Sequence, residues 1–289
     1  MRGTIRIPGF LLLGISMAAI SGGTVQESTS APAISWHKDY NAAVGQARAE
    51  GRPLLIDFWA TWCPPCREME AKLWARPDVA VLAAKYVCVR VDVDQERALA
   101  NRFRADSLPT VVFTDPWGTE IARRQGFGDP LDYIPLIRDL PGDLSPLAGQ
   151  YERLAQNGHD LAALLDIARF YYRKQLFHTS REFYERALEE KAVQADPDVR
   201  ADILTAIGWN LLKSGDSRGA RKRFERCLKE IPVHPGVEVT LYGLLRAQIA
   251  TGDRAEAEET LQRMRAANPK SPLVEQARID LAAGELAGR

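Results

Sequence analysis

Apolar and polar positions along the chain follow two regimes. Between residues 35 and 140, short apolar runs alternate with stretches of helical spacing. Tyr40, Ala43, Val44 and Ala47 recur at helical intervals, which predicts a helix over 35–52 that ends at Gly51-Arg52-Pro53. Residues 54–60 are apolar apart from Asp57 and predict a buried strand. A helix is expected from Cys63 to about Trp74, another over 79–84, an alternating strand over 86–93, a helix over 96–105 and a strand over 110–114. Trp117-Gly118 marks a hairpin turn into a strand over 120–124, and 130–140 closes the series as a helix. This order predicts an α/β layer structure, a central mixed sheet flanked by helices, over residues 35–140.

Beyond the Pro- and Gly-containing linker 141–146, every periodic segment is helical. In a unit starting at Ala201, Gly208, Ala220, Phe224, Cys227 and Pro232 stand at intervals that Leu245, Ala257, Leu261, Met264 and Pro269 repeat from Glu238. Gly215-Asp216 and Gly252-Asp253 supply the same turn in both units. A more divergent unit from Leu161 keeps Leu164, Ala168, Tyr171, Tyr184 and Ala187 in register, with a longer second helix. The pattern resembles the tetratricopeptide repeat, in which helix pairs stack into a superhelix. The resemblance implies an all-α repeat domain over 147–289, with a leading helix at 147–156 and a capping helix at 273–286.

The first residues differ from both regimes. Arg2 and Arg6 precede a mostly apolar segment over 7–20, then Ser21, Gly22 and Gly23. That is the charged start, short apolar stretch and small-residue exit of a secretory signal over 1–23, followed by a spacer over 24–34. An uncleaved N-terminal anchor is the other reading. Either one predicts a periplasmic or extracytoplasmic protein. Lys+Arg and Asp+Glu both number 38, so no net charge points to nucleic acid.

Chemistry concentrates at Cys63-Pro64-Pro65-Cys66, preceded by Trp62. Two cysteines separated by two residues at a strand-to-helix junction form a small disulfide that opens by thiol exchange. A helix N-terminus lowers the first thiol's pKa and so raises its thiolate fraction. Cys88 and Cys227 are isolated and read as buried small hydrophobes. The histidines are too scattered to complete a zinc site with the Cys pair, so no metal is expected.

Asp57-Phe58-Trp59-Ala60, the Trp62–Cys66 segment, Leu108-Pro109-Thr110 and Gly126 occur in the order and spacing of the thioredoxin superfamily, which this segment resembles. Within it, Cys66-Arg67-Glu68-Met69-Glu70, Asp115-Pro116-Trp117-Gly118 and Gly126-Phe127 are similar to the C-terminal domain of DsbD-type thiol–disulfide interchange proteins. The resemblance implies Cys63 as nucleophile, placed nearer solvent, and Cys66 as resolving thiol. It makes Asp57 a buried proton-transfer group and Glu70 a second acid near the site. Trp62, Pro64, Pro65, Leu108, Pro109 (as a cis-proline) and Gly126 become the substrate-contact surface.

The expected activity is an exported thiol–disulfide oxidoreductase, a protein-disulfide reductase, whose one redox group is the Cys63–Cys66 disulfide and which needs no other cofactor. Its expected partners are protein disulfide substrates, a protein dithiol electron donor such as a membrane carrier, and a peptide or protein ligand of the repeats. The alternative is a redox-linked chaperone or scaffold in which the repeats hold clients and the cysteine pair is auxiliary.

Overall fold

A computed structural model describes residues 31–287. The signal-like segment 1–23 and the spacer up to residue 30 lie outside the described residues. The chain from Trp36 onward forms β1 (Trp36–His37), α1 (Tyr40–Glu50), β2 (Leu54–Trp59), α2 (Pro64–Met69), a π-helical turn (Glu70–Trp74), α3 (Pro77–Ala83) and β3 (Val87–Asp92). It continues through α4 (Arg97–Arg102), β4 (Thr110–Thr114), β5 (Glu120–Gln125), a 3-10 turn (Pro130–Asp132) and α5 (Ile134–Asp139). The sheet has the order β1-β3-β2-β4-β5, parallel among its first three strands and antiparallel from β2 to β5.

Alternation along each strand sorts its side chains between two cores. Leu54, Ile56, Phe58, Val87, Val89, Val91 and Val112 pack with Ala43 and Ala47 of α1 and Ala100 of α4. Leu55, Cys88, Val111 and Phe113 point the other way, into Met69, Leu73, Trp74, Val79 and Ile137. Asp57 shares the parity of Leu55, so it faces the layer that contains α2.

Three expectations are corrected. The helix foreseen over 35–52 begins only at Tyr40, because Trp36 and His37 pair with Cys88 and Val89 as an edge strand. The helix leaving Cys63 does not stay α-helical to Trp74: its last turn is π-helical, with Ala75 N–H donating to the Glu70 carbonyl at 2.9 Å. The closing segment 130–140 divides into a 3-10 turn and α5, with Pro135 in the first turn of α5.

A 3-10 turn (Ser145–Leu147) leads into α6 (Ala148–Gln156), and eight further helices follow: α7 (Leu161–Arg173), α8 (Phe177–Leu188), α9 (Lys191–Ala195), α10 (Pro197–Lys213), α11 (Ser217–Glu230), α12 (Val237–Thr251), α13 (Arg254–Ala267) and α14 (Pro272–Ala287). The longer second helix expected in the first unit is two helices instead, α8 and the short α9, separated at Glu189–Glu190. The repeat spacing has a visible steric basis. A Cβ at Gly208 on α10 would come within 2.5 Å of the Phe224 ring, and one at Gly243 on α12 within 2.4 Å. The ring of α11 therefore lies wedged between two helices that lack side chains where it touches them.

Sheet and repeats share one apolar core that runs from Leu55 and Phe113 through Leu144 to Leu245 and Leu281. Leu144, within the expected linker, is buried, and its N–H donates to the Gly51 carbonyl at 2.7 Å. Asp115, fully buried after β4, is the polar centre of this junction. Its Oδ1 accepts from the backbone N–H groups of Trp117 (2.9 Å) and Thr119 (2.8 Å). Its Oδ2 accepts from the Tyr171 hydroxyl at 2.8 Å and from Tyr151. Trp117 stacks on Tyr151 with centroids 4.3 Å apart, and the Thr179 hydroxyl donates to the Glu120 carbonyl.

Asp115→Ala would leave the buried Tyr171 hydroxyl and the Trp117 and Thr119 amides without their acceptor, while Tyr151 keeps Thr119 Oγ1 at 2.9 Å. It is expected to cost about 3 kcal/mol, since each orphaned buried group costs roughly 1–3 kcal/mol. The parent should unfold in denaturant as one transition, read alike by far-UV circular dichroism and by tryptophan fluorescence. Two separate transitions in the parent would contradict a shared core.

Candidate active site

β2 leads through a tight turn to Cys63, which caps α2 in extended conformation. Pro64 and Pro65 occupy the first helical positions and carry no N–H. Cys66 therefore has the first amide proton of the helix, and it donates to Cys63 Sγ at 3.2 Å. The sulfur takes the position of a capping oxygen, where the helix terminus favours negative charge. Cys63 and Cys66 form a disulfide with Cα atoms 5.3 Å apart.

Cys63 does not stand nearer solvent than Cys66. The two are 3% and 5% exposed, clustered with Ala60 and packed against Trp59, Val93 and Leu108. These apolar neighbours cover the oxidised pair. Trp62 beside it is 63% exposed, and its indole N–H donates to Asp94 Oδ2 at 2.7 Å. Pro64 is exposed and Pro65 half-buried.

The Leu108–Pro109 peptide bond is cis. The Pro109 carbonyl accepts from Gly126 N–H at 2.8 Å, and the Gly126 carbonyl accepts from the Tyr133 hydroxyl. Leu108, Pro109 and Gly126 are thus tied together, and Leu108 reaches the cysteine cluster.

Asp57 is 2% exposed and pairs in register with Arg90 on β3. Arg90 Nε donates to Asp57 Oδ2 at 3.1 Å, while Arg90 Nη2 donates to Glu70 on the π-helical turn. One guanidinium thus spans a buried carboxylate and a half-exposed one. Its position is fixed from the sides as well, 5.0 Å from the Trp36 ring and 5.5 Å from the Trp59 ring. Asp57 Oδ1 and the Trp74 indole nitrogen are both buried without a hydrogen bond of ordinary geometry, although Trp74 lies near enough to favour the charged carboxylate slightly. Burial dominates and pushes the Asp57 pKa up to about 6, against the opposing pull of Arg90. Cys88, on the same sheet face, is buried and free, and burial pushes its thiol up to about 12, so it stays protonated and inert.

The likeness to known proteins follows the division between sheet and repeats. A family model described as thioredoxin-like matches residues 35–116, and two described as tetratricopeptide repeat match 160–229 and 211–279. The chain joins a thioredoxin-like domain to tetratricopeptide repeats. It is 32% identical over 101 residues to the thiol:disulfide interchange protein DsbD of Yersinia pestis, covering 33% of this chain and 17% of that protein. The corresponding figures for DsbD of Salmonella typhi are 33% over 113 residues, 37% and 20%. The chain therefore spans only about a fifth or less of the length of these curated relatives. Among solved structures, a thioredoxin from Thermus thermophilus is 27% identical, with 44% of this chain and 96% of that one covered at a TM-score of 0.35.

Two residues of the thioredoxin-like domain's site escaped the sequence reading. Arg90 had a signal: it interrupts the apolar strand Val87-Cys88-Val89-Arg90-Val91, at the parity that puts it beside Asp57. Asp94 had none, because its contact with Trp62 depends on how the loop after β3 turns.

Asp57 supplies a test through stability. Its carboxyl holds a proton up to about pH 6 when folded, but only to about 3.9 in an unfolded chain. Between those values the folded state binds more protons, so stability declines as pH rises and the full cost is present above pH 6. Asp57→Asn should therefore raise the denaturation midpoint at pH 8 and lose that advantage as pH falls to 4. An equal effect at both pH values would show that Asp57 is not titrating across this window.

Proposed function

We propose that this protein is an exported thiol–disulfide oxidoreductase that reduces disulfides in protein substrates through Cys63 and Cys66, while its repeats bind a partner. The observation that carries the reading is the Cys63–Cys66 disulfide at the start of α2, with the Cys66 N–H on the Cys63 sulfur. In the reduced enzyme, the Cys63 thiolate attacks a substrate disulfide, forming a mixed disulfide and releasing one substrate thiolate. Cys66, deprotonated, then attacks Cys63 Sγ, which restores the intramolecular disulfide and releases the second substrate thiol. Two electrons pass from the pair to the substrate.

Asp57 takes the proton from Cys66 in this scheme, a task suited to a buried carboxyl whose pKa is pushed up to about 6. Arg90 positions Asp57, and Glu70 sits at the outer end of the same ion-pair network. Trp62, Pro64, Pro65, Leu108, Pro109 and Gly126 form the surface that a substrate segment meets. The exchange needs no group beyond the cysteine pair. A protein dithiol, such as a membrane electron carrier, returns the pair to its reduced form. The N-terminal signal pattern is what supports export, to the periplasm or the outer face of the membrane. The repeats qualify as a partner surface because they are fixed to the redox domain through the Asp115 junction and the shared core.

The test is catalysis of dithiothreitol-driven reduction of insulin by the purified protein. Cys63→Ser should abolish it. Cys66→Ser should leave mixed disulfides at Cys63, recoverable from cells and identified by mass spectrometry. A protein that accelerates insulin reduction no more than its Cys63→Ser variant is not a disulfide reductase.

A further inference from the structure

A cavity of about 300 Å³ opens on the repeats between α7, α8, α10 and α12, lined by Tyr172, Tyr184, Asp202, Thr205, Trp209 and Val239. Three of its lining residues are aromatic, and two of these rings pack against further rings. Trp209 meets Phe224 edge-on at 5.9 Å and leans on Tyr242 at 5.8 Å, while Tyr172 meets Phe177 edge-on at 5.5 Å. Val239 is 43% exposed, so the apolar lining is open to a partner.

The polar groups here are incomplete in one direction. Asp202 is exposed, and among the described residues no cation pairs with it or with Asp198 one turn earlier on α10. Both carboxylates act on the buried His234 behind the cavity, whose pKa burial nevertheless pushes below its ordinary value. His234 is therefore neutral near pH 7 and neutralises neither acid. Gly236 lies close against the Asp202 carboxylate, where an added Cβ would stand only 3.2 Å from Oδ1, so the lack of a side chain there makes room for the acid. The Trp209 indole N–H is buried and has no hydrogen-bond partner. Positive charge stands at the Tyr184 wall, where Arg169, which also pairs with Asp166, and Arg173 both act on the Tyr184 hydroxyl, so the unpaired negative charge is confined to the Asp202 side.

We propose that this cavity binds a lysine or arginine side chain of an extended partner segment, its charge at Asp202 and its stem between Tyr172 and Trp209. An unpaired carboxylate beside three aromatic rings complements a cation with an apolar stem, which gains from ring faces and from the acid together. An acidic partner would meet like charge at Asp202, and a wholly apolar one would bury that carboxylate without compensation. The inference rests on the repeats being a partner surface and names the chemistry that they select.

The experiment is selection from a random dodecapeptide phage library on the full chain carrying Cys63→Ser and Cys66→Ser, which silences disulfide exchange. Enriched peptides should contain a shared lysine or arginine. A synthetic peptide from the selection should lose about tenfold in affinity on Asp202→Asn, equivalent to roughly 1.4 kcal/mol, and should weaken as salt rises. Asp202 is exposed, so this substitution removes charge without disturbing packing. Trp209→Phe should weaken binding as well, while its circular dichroism spectrum reports whether the fold is kept. Enrichment of acidic or purely apolar peptides, or affinity indifferent to Asp202→Asn, overturns the cation site and leaves the repeats as a partner surface. No enrichment at all overturns both.

Discussion

The buried carboxylate of Asp115 fixes how the two halves of the chain meet. It closes its own turn through the Trp117 and Thr119 amides and at the same time receives hydroxyls from Tyr151 on α6 and Tyr171 on α7. A carboxylate taken out of water is costly unless its oxygens are occupied, so the turn and the helices satisfy it only together. Around that point Trp117 lies flat on Tyr151, and apolar side chains continue without a break from the sheet into the repeats. The repeats are therefore part of the domain's core, and whatever they bind is held at a set position relative to the cysteines.

At the cysteine pair, geometry replaces hydrogen bonds that the sequence has removed. With prolines at the first two helical positions, Cys66 N–H is the nearest donor for Cys63 sulfur, and the two thiols are linked through the backbone as well as through the disulfide. Charge is handled on the neighbouring strands. Arg90 is shared between Asp57, deep in the sheet, and Glu70, at the surface, so a single guanidinium holds both acids. The rings of Trp36 and Trp59 limit how far that guanidinium can move. The two-residue strand β1 matters for this reason, since it delivers Trp36 to the site.

Much of this was legible in the residues. The cysteine pair, Asp57, Pro109 and Gly126 carry a pattern of order and spacing, and strand alternation alone puts Asp57 on the face that α2 covers. The repeat glycines and aromatics were legible because close helix crossings admit only small residues opposite large ones, as Gly208 and Gly243 do around Phe224. Strand β1 was not, because two residues are too few for a period to register. Nor was the break between α8 and α9, where the chain from Phe177 to Ala195 contains no proline or glycine to mark it.

By itself, then, the sequence determined most of the local elements, the two fold classes and the position of the candidate redox pair, since these depend on neighbours a few positions apart. Tertiary structure decided the contacts between residues far apart in the chain. Asp115 reads as an ordinary turn aspartate until Tyr171, 56 positions later, is placed against it. Cys63 reads as the exposed thiol until Leu108 and Val93 fold over the pair. Arg90 becomes part of the site only when register sets it opposite Asp57 and packing brings Glu70 within reach. Burial and charge pairing are properties of the space around a residue, and no local pattern encodes that space.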